Sequence, residues 1–215
     1  MSTTRAKKPV GQVALVGAGT GDPGLLTLRA AELLGAADLI VADERCSAGV
    51  LALARDGAEL RVVPAHELQG PVLVAAAKEG RLVVRLLAGD PFLADDGVKE
   101  AEAVQKAKQR LEVVPGLPAP VAVPGYAGVP VGLPRAVARV EDGLDWRGIA
   151  AAPGTLVLLC PAGHVAKAAA ALVEHGRKPE TLASVTVGGT TSEQRTVLTT
   201  LDRAEADVTA AGLAG

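Results

Sequence analysis

Aromatic side chains are almost missing: Phe92, Tyr126 and Trp146 are the only three in 215 residues. Recognition that stacks bases on rings or cages a cation between them lacks its main component. Cysteine is equally sparse, and Cys46 and Cys160 fit neither a metal-ligand spacing nor a disulfide framework, which points to a reducing compartment. His66, His164 and His175 are scattered too, so no metal site is expected. No charge of one sign dominates, because 22 Lys and Arg stand against 24 Asp and Glu for a net charge of -2. The basic residues are dispersed apart from Arg5, Lys7 and Lys8 and the group Lys106, Lys108 and Arg110, so nucleic acid is not an expected partner. No apolar run approaches the roughly 18 residues that cross a bilayer, so no membrane is expected either. The opening MSTTRAKKPVG is polar and the strand after it is too short for a signal sequence. Residues 1–10 read as a disordered tail on a cytoplasmic protein.

Ala, Val and Leu carry nearly all of the 49% apolar content, and they recur in a strand–helix rhythm. Strands are expected over 12–17, 39–43, 60–64, 81–89 and 111–116, with helices over 24–38, 47–55, 71–79 and 96–109. Strands separated by helices of this length imply an α/β protein whose parallel sheet is covered on both faces. The texture changes at LPAPVAVPGYAGVPVGLPRA, where five prolines limit any helix to about 119–127. A domain boundary is expected just after it, giving domains 11–130 and 131–215. The second half predicts strands starting near 138 and at 155–160, 182–187 and 195–201, a helix at 163–175, and an antiparallel hairpin for the last strand pair. The last fifteen residues contain helix formers and no closing strand, so the second domain reads as a truncated one with a mixed sheet.

Two loops share a pattern. GAGTGD follows the first strand, but the third glycine of a dinucleotide fingerprint is displaced and Asp22 stands where a pyrophosphate would sit. No Gly-Lys-Ser/Thr of a phosphate loop exists either. Asp22-Pro23 suits a helix cap instead. LLAGDPF repeats Gly-Asp-Pro after another strand, and ligands of open parallel sheets sit at the carboxyl ends of strands. Paired in this way, the loops suggest a ligand read through backbone groups.

Taken together, GAGTGDPGLLTLRAAELLGAAD (17–38), VRLLAGDPF (84–92), VVPGLPAPVAVPGYAGVPVG (113–132) and GGTTSEQR (188–195) resemble the tetrapyrrole methylases. The last block is similar to the uroporphyrinogen-III C-methyltransferase branch. The resemblance implies two α/β domains with a cofactor cleft between them, S-adenosylmethionine as cofactor, a homodimer, and a tetrapyrrole substrate. It also implies methyl transfer to C2 and C7 of uroporphyrinogen III, giving precorrin-2 on the way to sirohaem and cobalamin. The incomplete second domain is similar to actinobacterial proteins in which a methylase half is joined to a uroporphyrinogen-III synthase half, so a fused or associated synthase is a possible partner.

By the same resemblance, Gly89, Asp90, Pro91, Pro118, Ala119, Cys160, Gly189 and Thr190 would hold the cofactor. Leu159 and Cys160 occupy the place of a Tyr-Met pair in relatives. Gly19, Gly21, Asp22, Arg45, Tyr126 and Arg135 would face the substrate. Asp43, which matches the acid that ends the second strand in the family, and Arg85, before the second glycine loop, are the expected catalytic residues, with Arg85 pairing with substrate carboxylates. A second reading, a non-catalytic tetrapyrrole-binding or scaffolding domain that serves a uroporphyrinogen-III synthase, stays open on these residues.

Overall fold

The computed structural model describes residues 10–93 and 95–213. The tail expected at the start lies, for residues 1–9, outside the described residues. Two compact units follow one another along the chain, the first ending at Pro118 and the second starting at Ala119.

The first unit alternates strand and helix as β1 (Gln12–Gly17), α1 (Leu28–Ala36), β2 (Leu39–Asp43), α2 (Ala48–Leu51), β3 (Glu59–Val63), α3 (Gly70–Lys78), β4 (Leu82–Leu87), α4 (Asp95–Lys106) and β5 (Arg110–Val114). The strands form one parallel five-stranded sheet in the order β3-β2-β4-β1-β5. Alternating side chains of each central strand feed two cores. Ala14, Val16, Ile40, Ala42, Val84 and Leu86 pack with Leu33 and Leu34 of α1. Val13, Leu15, Leu39, Val41 and Val83 pack with Leu73 of α3 and Val104 of α4. Each fully buried Val, Leu or Ile side chain contributes about 1.5–3 kcal/mol, which is why these strands carry no polar alternation.

The helix expected over 24–38 is divided. Asp22 accepts from Gly24 N to cap a short 3-10 turn, Pro23–Leu25, and Thr27 then accepts from Ala30 N to start α1. Two caps in close succession start two elements rather than one. Helix α2 is also shorter than the expected 47–55, and Ser47 caps it.

The second unit contains α5 (Ala119–Tyr126), β6 (Arg135–Arg139), α6 (Trp146–Ala151), β7 (Thr155–Leu159), α7 (Val165–Glu174), β8 (Leu182–Val187), β9 (Arg195–Thr200) and α8 (Ala204–Ala210). Strands β6 and β7 pair in parallel, and β8 and β9 form the expected antiparallel hairpin with Leu182 opposite Thr200. Both strand senses are therefore present, in two separate two-stranded sheets among the described residues. The division between units falls before α5, earlier than the expected 130, because α5 packs with β7. Half-buried Trp146 opens α6, where Asp145 caps the helix by accepting from Gly148 N. No described helix is long and apolar enough to cross a membrane.

Candidate active site

The carboxyl ends of β1, β4 and β5 carry three interlocked loops. Gly19 N donates to Gly89 O at 3.1 Å and Gly89 N returns a bond to Gly19 O at 2.8 Å. Both glycines have positive φ, 65° and 72°, which favours residues without a Cβ. Gly116 is required by contact: a Cβ there would stand 2.1 Å from Gly89 O. At Gly89 a Cβ would meet nothing within 4 Å, so the second glycine loop leaves open space beside its backbone. The carboxylate of Asp90 accepts from Phe92 N at 2.9 Å and from Gly116 N at 3.1 Å, tying its loop to the one after β5. Pro91 is buried next to it. Ser47 Oγ donates to Gly21 O at 2.6 Å, so the cap of α2 also steadies the first loop.

Asp43 ends β2 at the same edge of the sheet, with a side chain only 1% exposed. Its Oδ1 accepts from Arg45 N and Nε, both at 2.8 Å, and its Oδ2 from Arg45 Nη2 at 2.5 Å. Burial on its own pushes the carboxyl up; the bonds from Arg45 and the charges of Arg45 and Arg85 outweigh it and hold the group below the ordinary aspartate value. The neighbouring Cys46 thiol is pushed up to about 12 by burial and by the charge of Asp43, which keeps it an inert core group.

Arg85 stands as a correction to the sequence reading. It is 0% exposed and cannot meet substrate carboxylates at the surface of this unit. Its Nε lies 3.1 and 3.0 Å from the two oxygens of Glu100, and Nη1 donates to Val41 O at 3.3 Å. Glu100 is equally buried and also accepts from Gln69 N at 2.8 Å. Burial raises the Glu100 carboxyl more than Arg85 lowers it. Arg85 thus acts on Asp43 from behind, as a fixed positive charge.

Glu100 and Asp96 escape the sequence reading. A signal for Glu100 exists: Gly97, Ala101 and Val104 form the buried stripe of α4, and Glu100 interrupts it with an acid. Asp96 Oδ2 lies 2.5 Å from Nδ1 of His66, which itself adopts φ 66°. No spacing in the sequence announces that pair.

The expected site residues fall into two groups. Gly19, Gly21, Asp22, Asp43, Arg45, Gly89, Asp90 and Pro91 gather at the carboxyl edge of the first sheet, and Pro118 ends that unit. In the second unit, Ala119, Cys160 and Gly189 line one groove of about 1460 Å³. A Cβ on Gly189 would meet Val123 Cγ1 at 2.5 Å, so that glycine lets its loop close on α5. Buried Thr190 follows with φ 68°, its N–H donating to Gln194 Oε1 at 2.8 Å. Tyr126 and Arg135 are exposed on α5 and at the start of β6, outside that lining.

Comparison with known proteins places these features. The model of the Tetrapyrrole (Corrin/Porphyrin) Methylases matches residues 12–205. The chain is 37% identical to an S-adenosyl-L-methionine-dependent uroporphyrinogen III methyltransferase of Methanosarcina barkeri, over 89% of this chain and 83% of that protein. It is 38% identical to a uroporphyrinogen-III C-methyltransferase of a Sinorhizobium species, over 94% of this chain and 80% of that one. A crystal structure of the uroporphyrin-III C-methyl transferase of Thermus thermophilus with S-adenosylhomocysteine matches at a TM-score of 0.76 and 32% identity, covering 91% of each chain. Glycine loops, fold and relatives agree, and the chain belongs to the tetrapyrrole methylases as an enzyme of that family.

Proposed function

We propose that this enzyme methylates C2 and C7 of uroporphyrinogen III, giving precorrin-2, with S-adenosylmethionine as the methyl donor. The observation that carries the reading is Asp43: a buried carboxylate, held ionised, at the carboxyl end of a strand beside two interlocked glycine loops. The names of the relatives support the substrate and the donor.

When bound, S-adenosylmethionine supplies a methyl group already activated on a sulfonium. The open space beside Gly89 suits the methionine part, held with Asp90, Pro91 and Pro118. Ala119, Cys160 and Gly189 of the groove, with Thr190 next in the chain, serve the adenosine, along an apolar wall that includes Leu159. Gly19, Gly21, Asp22, Tyr126 and Arg135 face the tetrapyrrole, and Arg45 takes one of its carboxylates. Because the methyl is activated and the reduced pyrrole is electron-rich, positioning accounts for most of the catalysis. Each methylation leaves the substrate one proton to lose, and Asp43 accepts it.

On this reading the enzyme is a cytoplasmic homodimer, with a fused or associated uroporphyrinogen-III synthase as partner. Titration with S-adenosylhomocysteine by calorimetry tests the donor site. A one-to-one site of micromolar affinity, about -8 kcal/mol, is expected. An anaerobic assay with uroporphyrinogen III then tests the product; absence of both binding and turnover in a folded sample rejects the proposal.

A further inference from the structure

We infer that Arg45 is a latch on Asp43, opened when a carboxylate of the substrate takes the guanidinium away. The inference rests on the proposed uroporphyrinogen reading. As the protein stands, both oxygens of Asp43 are engaged by Arg45, through two side-chain nitrogens and one backbone N–H. A carboxylate so engaged is a weak base, since accepting a proton means giving up charge-assisted bonds.

Two arginines act on Asp43, and only one is free to leave. Arg85 is buried and fixed by Glu100 and Val41 O. The Arg45 side chain is 43% exposed and its bonds go to Asp43 alone among the described residues, so it swings out without disturbing the core. Exchange of one carboxylate for another leaves the guanidinium paired throughout, which keeps the cost of opening low. The backbone bond from Arg45 N to Oδ1 stays and keeps Asp43 aimed.

The charges around the pair fix the direction of the effect. Asp43 feels Arg45 from its own loop and Arg85 from β4; Arg85 is itself paired with Glu100 of α4. The Cys46 thiol beside it is uncharged. Arg45 feels Asp96 at the start of α4 as well as Asp43. Removing Arg45 therefore leaves burial as the main influence on Asp43 and moves its carboxyl upward, toward the range of a useful base. The proton lost by the substrate carbon passes to Asp43, the C–H electron pair stays with the tetrapyrrole, and the proton returns to solvent when Arg45 closes again.

The test follows the Asp43 carboxyl carbon by NMR in protein labelled at aspartate, with Asp43→Asn to assign the signal. Uroporphyrin III, the oxidised and unreactive polycarboxylate, serves as probe. In the unaltered protein the Asp43 midpoint moves up when uroporphyrin binds. In Arg45→Met it starts high and does not move, and uroporphyrin binds about tenfold more weakly, as loss of one charge-assisted pair predicts. Arg45→Lys, which keeps the charge but not the fork, falls between them and replaces the Met variant if that one fails to fold. Uroporphyrin binding with an unmoved Asp43 overturns the latch alone, as does a midpoint in Arg45→Met equal to that of the unaltered protein. Failure of uroporphyrin to bind at all overturns the substrate reading and the latch with it.

Discussion

A carboxylate with 1% of its surface exposed keeps its charge only if partners replace the water it has lost, and Asp43 has two arginines for that purpose. Asp43→Asn keeps shape and removes charge: S-adenosylhomocysteine affinity is expected to stay within about twofold, while methyl transfer in a single turnover falls by roughly 10²–10⁴. The lowered carboxyl also links folding to acid. Its contribution to stability is complete above the unfolded aspartate value and is lost as pH falls through the lower folded value. Urea midpoints measured from neutral pH downward should decline less steeply in Asp43→Asn. Behind it, the side chains of Arg85 and Glu100 are each 1% exposed, so Glu100→Gln leaves a buried guanidinium short of charge. A loss of about 3–5 kcal/mol is expected in urea unfolding, with much of it recovered in the apolar double variant Arg85→Met, Glu100→Met. The strand that ends on Asp43 was legible in the apolar run at 39–42, whereas the choice of Asp43 as the catalytic acid came from the family resemblance. The burial of Arg85 was not legible: its partner lies fifteen residues on, in a helix whose register with the sheet no local pattern reveals.

At the scale of elements, strands buried on both faces were the most legible, since continuous Val, Leu and Ile runs have no other stable use in a chain of this rhythm. Helix starts were less so, because consecutive caps at Asp22 and Thr27 compete for one boundary. Strand β6 starts at Arg135, earlier than the expected 138, and its half-exposed alternation lacks the apolar run that marks β1 or β2. The glycines separate by contact. Gly116→Ala would drive a Cβ to 2.1 Å from Gly89 O, prising apart the loops at the carboxyl edge. It is expected to cost roughly 1–3 kcal/mol and to weaken S-adenosylhomocysteine binding in the same titration. Gly125→Ala, at an exposed position of α5 where a Cβ meets nothing within 4 Å, should stabilise by roughly 0.5–1 kcal/mol in thermal unfolding.

Over the whole molecule, the two units differ in how their strands are buried. All five residues of β2 and five of six in β1 are buried, whereas β7 is half-buried along its length and β8 alternates toward solvent. The second unit therefore has the weaker apolar support. Trp146, the lone tryptophan, opens α6 in that unit, and Tyr126, the lone tyrosine, is there too, while the first unit holds only Phe92. The parallel sheet that carries Asp43 is consequently invisible to tryptophan fluorescence. An emission curve in urea watches the second unit alone; far-ultraviolet circular dichroism sees both. The emission midpoint should fall at lower urea than the ellipticity midpoint, and superimposed curves would mean that the units melt as one. The scarcity of rings that excludes base stacking thus makes the protein its own reporter, with a single natural lamp fixed in one unit.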